Sequence, residues 1–100
     1  MSEIRVRNDT GESLDEVRLT GTEGPRRLMS LGPLPPGAVS TWRSVAAVRR
    51  YPAIEASGPG IDLVHLPYEG DAQAALPAGR YTYVLRLEAG RLVVGLEPEV

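Results

Sequence analysis

His65 is the only histidine in the chain, and cysteine and lysine are both absent. A Ser-His-Asp arrangement would have to be built on His65 with Ser30, Ser40, Ser44 or Ser57 as nucleophile, and none of these serines stands in a G-x-S-x-G elbow. Alternation over Ile61 to Leu66 puts His65 on the face of Ile61 and Leu63, the place of a half-buried, hydrogen-bonded histidine rather than of a general base. A hard-metal site joining His65 to Asp62, Glu69 and Asp71 meets the same obstacle, because Asp62 falls on the opposite face and the spacing is neither that of an EF-hand nor that of a zinc motif. The lack of lysine removes Schiff-base chemistry and a phosphate-loop cation, and Gly58-Pro59-Gly60 has no helix after it. Asp15 and Glu16, adjacent in sequence, point to opposite sides of a strand and cannot serve as a glycosidase pair. No enzyme, no metal and no cofactor are expected.

Binding chemistry is better represented. The aromatic inventory is Trp42, Tyr51, Tyr68, Tyr81 and Tyr83, with no phenylalanine. A domain lacking Phe must fill its core with something, so Trp42 and Tyr81, and with them Tyr83, are expected inside. Tyr51 and Tyr68, flanked by prolines, are the surface candidates. Arg49 and Arg50 beside Tyr51, with Arg43 close by, form the densest basic group, able to clamp a carboxylate or stack on a partner's ring. The same arginines would also suit an edge strand shielded against aggregation. The candidate binding residues are thus Arg43, Arg49, Arg50, Tyr51 and Tyr68.

These residues sit in a chain of 100 residues, the size of one domain spanning 1–100. Eleven arginines oppose thirteen acidic residues, scattered rather than blocked, for a net charge of -2, so nucleic acid and anionic membrane surfaces are not expected partners. No apolar run approaches the ~20 residues that span a bilayer. The N-terminus alternates like a strand and shows no apolar signal core, so a cytoplasmic location is expected. The absence of cysteine fits any redox compartment. Arginine without lysine, amid abundant Ala, Gly, Pro and Val, also fits a GC-rich genome.

Period-2 alternation dominates, and no window of a dozen residues sustains a helical period. Strands are expected around Ile4 and Val6, over 14–20, 27–31, 39–43, 51–56 and 61–66, and most clearly over Arg80 to Glu88 and Arg91 to Glu97, a hairpin turning at Ala89-Gly90. Val45 to Val48 reads either as a short helical turn or as continued strand. Pro52 marks its strand as an edge or a bulge, and Ser57 to Gly60 and Pro67 to Gln73 read as loops. Leu34-Pro35-Pro36-Gly37 and Leu76-Pro77-Ala78-Gly79 use one device twice: Leu plugs the core, Pro sets φ and Gly allows a sharp turn into the next strand. Seven or eight short strands between Gly/Pro turns predict an all-β, two-sheet antiparallel sandwich, with a small barrel as the alternative.

The stretch LPAGRYTYV, Leu76 to Val84, resembles the turn-and-strand of transthyretin-like and immunoglobulin-like bacterial sandwiches. The order of Asn8, the Leu34 to Trp42 segment, Tyr51-Pro52-Ala53-Ile54 and Gly79 to Tyr83 is similar to a group of small uncharacterised bacterial β-sandwich proteins. That resemblance implies the fold and no activity. The expected role is a non-enzymatic binding or protein-interaction module. Its partner would be a protein or a second copy of the chain, joined through an edge strand or through the Arg43, Arg49, Arg50 and Tyr51 surface. The alternative is a small-ligand or carbohydrate-binding sandwich using Trp42, Tyr51 and Tyr68.

Overall fold

Alternation along the first strand sets Ile4, Val6 and Asn8 against Glu3, Arg5 and Arg7. In the computed structural model, which describes residues 2–20, 28–45, 48, 53–65 and 76–99, the first set is fully buried. This strand, β1 (Ser2–Asp9), is followed by β2 (Glu16–Thr20), β3 (Leu28–Leu31), β4 (Arg43–Val45), β5 (Ala53–Gly58), β6 (Ile61–His65), β7 (Arg80–Glu88) and β8 (Arg91–Glu99). No helix occurs among the described residues. The strands make two four-stranded sheets, ordered β4-β1-β7-β8 and β3-β2-β5-β6, which is the expected two-sheet sandwich. Ile4, Tyr83 and Leu85 of the first sheet and Val17, Leu19 and Ile54 of the second belong to one buried apolar cluster.

The expectation of an antiparallel fold needs correction in one place. β1 runs parallel to β7, pairing Glu3 with Arg80 through to Asp9 with Arg86, so the first sheet is mixed. Hairpin turns impose antiparallel neighbours, and no turn joins these two strands, which are some seventy residues apart in sequence. β1 shares its sheet with β4 and β7 and not with β2, unlike the immunoglobulin constant-type arrangement, in which the first two strands lie side by side.

Local turn chemistry fared better. β7 and β8 are joined at Ala89-Gly90, whose φ angles of 52° and 76° suit the two-residue turn of a right-twisted hairpin. β5 and β6 are also joined by two residues, Pro59-Gly60, but with a positive φ at Gly60 alone, 72°, because the proline ring holds φ negative; the expected loop over Ser57 to Gly60 is in fact strand as far as Gly58. Gly58 has no substitute, because a Cβ there would overlap the Ser13 carbonyl that crosses it. β5 lies between β2 and β6 and is not the edge strand that Pro52 suggested; Pro52 itself lies outside the described residues. Val45 belongs to β4 and Val48 is buried, while Ala46 and Ala47 lie outside the described residues. Of the two Leu-Pro-x-Gly devices, the first behaves as expected: Leu34 is buried, Gly37 has a φ of 80°, and the Ala38 N–H donates to the Pro35 carbonyl at 3.0 Å. In the second Leu76 is only half-buried, and Gly79 is not among the positive-φ glycines.

At the end of β1 the fully buried Asn8 ties three pieces of chain together. Its amide nitrogen donates to the Glu12 carbonyl at 2.7 Å and to the Leu34 carbonyl at 2.8 Å, while its oxygen accepts from the Thr10 N–H at 3.1 Å and the Thr10 hydroxyl at 2.6 Å. Its backbone binds Ala38 and Gly37 as well. Asn8→Ala leaves the buried Leu34 carbonyl and the partly buried groups at Thr10 and Glu12 without this partner and is expected to cost about 2–4 kcal/mol in urea unfolding. Asn8→Asp keeps the shape but turns an acceptor toward two carbonyls, which raises the folded-state pKa of the new carboxyl above its unfolded value. Its deficit relative to wild type is therefore smallest below about pH 4 and grows as pH rises toward 7, whereas the Asn8→Ala deficit stays flat.

Candidate functional site

The outward side of the first sheet is a lattice of crossed charges. Arg5 and Arg7 of β1 reach diagonally over β7 to β8: the Arg5 guanidinium meets Glu99 at 2.7 Å and Arg7 meets Glu97 at 3.4 Å, with Asp9 at 3.1 Å on Arg7. Arg80 meets Glu3 at 2.9 Å. The hydrogen bond to Asp9 and the nearby Glu97 charge hold the Arg7 guanidinium above its ordinary pKa. Thr82 and Val84 point outward yet are only 2% and 1% exposed, because the arginine stems lie across them. Arg5 Nε also donates to the Thr82 hydroxyl at 3.1 Å.

Trp42 sits at the margin of this lattice and not in the core, which corrects the sequence expectation. Its half-buried ring has the Arg5 guanidinium carbon 4.5 Å and that of Arg80 5.4 Å from its centroid. The cause is a β-bulge. Val39 bridges Arg7 and Arg43 pairs with Ile4, four steps along one chain against three on β1, so one residue is inserted between them. Within the bulge the Ser40 hydroxyl, and not a backbone carbonyl, accepts the Val6 N–H at 2.9 Å. The strand expected at Val39 to Arg43 is therefore interrupted, and only Arg43–Val45 is regular. Tyr81 and Tyr83 are buried as expected.

Arg43 occupies an unusual position. Its pairing with Ile4 aims it at the rim between the sheets, and its guanidinium donates to the Ser30 carbonyl of β3 at 2.9 Å. It thereby straps the β4 edge of one sheet to the β3 edge of the other. Beside it lies a shallow groove of about 380 Å³ lined by Ser30, Leu31, Pro33, Val39, Thr41 and Arg43. Arg49, Arg50, Tyr51 and Tyr68 lie outside the described residues, so no surface combining them with Arg43 is described. The backbone of His65 ends β6 opposite Ile54; its side chain, like all of Glu69 and Asp71, lies outside the described residues. Among the described residues no three His, Cys, Asp or Glu side chains gather as a metal site.

Among the described residues the four edge strands differ in how they are protected. β4 has three residues, a bulge beside it and the inward-aimed Arg43. β3 has four, with one carbonyl capped by that same arginine. β6 has five and carries Asp62. β8 has nine and presents Leu92-Val93-Val94-Gly95-Leu96 without a charge. The two-residue turn makes Glu88 and Arg91 a hydrogen-bonded pair, and alternation from there directs the amides of Val93, Gly95 and Glu97 toward β7. The N–H and C=O groups of Leu92, Val94 and Leu96 face outward, and among the described residues β8 pairs with β7 alone. Pro98 also falls in the outward set, where its missing N–H costs the ladder nothing. Sequence reasoning passed over this edge; the signal was there in an uncharged run at the end of the chain's strongest hairpin.

Compared with protein-family models, curated proteins and solved structures, the chain has no match in any of the three.

As the only tryptophan, Trp42 reports on its own setting. Its emission in the folded protein should be readily quenched by acrylamide, and core-like protection would contradict the placement over Arg5 and Arg80. Trp42→Ala is expected to cost about 1–2 kcal/mol, from two cation–π contacts and partial burial.

Proposed function

We propose that this domain is a non-enzymatic protein-interaction module whose binding element is the outer edge of β8. One observation carries the reading: among the described residues β8 is the longest of the four edge strands and lacks any charge over five consecutive residues, while the short β3 and β4 edges are tied together by Arg43. An extended segment laid along β8 gains main-chain hydrogen bonds at Leu92, Val94 and Leu96 and continues the sheet, which is the physics of strand addition.

Binding of a sugar or other small ligand through Trp42, Tyr51 and Tyr68 has less behind it, because two guanidiniums already lie over the Trp42 ring and a sugar face would have to displace them.

Amide exchange tests the β8 reading. At low protein concentration, a capped alternating Thr-Val hexapeptide should slow exchange at Leu92, Val94 and Leu96 by about tenfold at saturation and leave Val93, Gly95 and Glu97 unchanged, the expected outcome for an added strand. No slowing at any peptide concentration counts against β8. The double substitution Arg49→Glu, Arg50→Glu should leave the effect intact; its loss would move the binding element to the Arg43, Arg49, Arg50 and Tyr51 surface.

A further inference from the structure

We infer that the occupant of the β8 edge is a second copy of this chain, paired antiparallel about a two-fold axis at Val94, so that two β4-β1-β7-β8 sheets join into one of eight strands. This rests on the proposed role of β8 and adds its occupant and register.

Charge complementarity selects a copy of the same strand, running the opposite way. β8 begins with the exposed Arg91, which makes no ion pair among the described residues, and ends with Glu97, Pro98 and Glu99. Antiparallel self-pairing centred on Val94 sets Arg91 opposite the partner's Glu97, twice over by symmetry, whereas parallel pairing sets like charge against like. Glu97 is half-exposed, and its contact with Arg7, at 3.4 Å, is the longest of the charge pairs on this face. In the same register Leu92 faces the partner's Leu96, and Val94 faces its own counterpart. Because these are the residues whose N–H and C=O groups point outward, every outward group between 92 and 96 finds a partner, in six hydrogen bonds.

A two-residue slip, centred on Gly95, sets Leu92 opposite the partner's Pro98, which has no N–H, and leaves the Leu92 carbonyl unpaired. In the Val94 register Val93 instead lies opposite the partner's Gly95, where the absence of a side chain leaves room beside the Arg86 guanidinium, 3.0 Å from where a Cβ would be. The assembly closes at two copies, because the other edge of the joined sheet is β4, protected by its bulge and by Arg43. A five-residue edge contact is smaller than a standard interface of ~800 Å² per partner, so association is weak and concentration-dependent, over about 10–1,000 µM.

Sedimentation equilibrium across that range tests this. The wild-type mass should rise from one chain toward two, while Arg91→Glu alone and Glu97→Arg alone each lose association by tenfold or more. An equimolar mixture of the two variants should recover wild-type association, because both cross-strand pairs are then of opposite charge. Retained association in Arg91→Glu, or rescue by Glu99→Arg and not by Glu97→Arg, overturns the register. Should Glu97→Arg fail to fold because it faces Arg7, amide exchange decides: protection at Leu92, Val94 and Leu96 that rises with wild-type concentration and is lost in Arg91→Glu supports the pairing, and its absence rejects it. A constant monomer mass while the Thr-Val peptide still protects these amides rejects the second copy and leaves the β8 edge standing; protection by neither rejects both.

Discussion

The carboxamide of Asn8 uses all of its hydrogen-bonding groups inside the protein, and the course of β1 depends on it. Both of its N–H groups reach carbonyls, at Glu12 and Leu34, and its oxygen accepts from the Thr10 amide and hydroxyl, so a fully buried polar side chain leaves nothing unpaired. β1 needs such an anchor. It lies in the middle of its sheet between β4 and β7, is joined to neither by a tight turn, and runs parallel to β7. A slip of one residue would turn Ile4 and Val6 outward and Arg5 and Arg7 inward. By pinning the strand's end to the Leu34–Gly37 segment, Asn8 opposes that slip.

With β1 held in register, the outer charges follow from it. Arg5 and Arg7 lie where they cross β7 to reach Glu99 and Glu97, and Arg5 with Arg80 lies over Trp42. Exposed ion pairs of this kind are each worth little, and the main result of the lattice is coverage: the arginine stems keep Thr82 and Val84 dry on what would otherwise be a wet face. The same register carries β4, where the extra residue of the bulge changes the phase of the chain and leaves Arg43 aimed at the rim. One arginine then ties two edges together, which leaves β8 as the longest edge among the described residues, with no charge from Leu92 to Leu96.

Much of the fold was legible in the sequence, for local reasons. The C-terminal hairpin, the buried Leu34 and the interior positions of Tyr81 and Tyr83 follow from alternation and turn chemistry within a few residues. Trp42 shows where such reasoning fails. The alternation of Val39, Thr41 and Arg43 against Ser40 and Trp42 was visible, but a bulge is a mismatch between two strands and leaves no mark on either one alone. Arg43 was legible as a residue of interest, and its role as a strap was not, because its acceptor is a backbone carbonyl thirteen residues away in the other sheet. A carbonyl has no signature in sequence.

The amino-acid sequence by itself determined that this chain is an all-β domain of seven or eight short strands, with no cysteine or lysine chemistry and a single histidine, because side-chain period, turn residues and composition are local properties. The tertiary structure decided which strands became edges, that β1 would lie parallel to β7, and that Trp42 would sit under arginines rather than in the core. Those outcomes depend on pairings between residues far apart in the chain, whose energies come from register, burial and hydrogen-bond satisfaction across the sheets and not from any one segment.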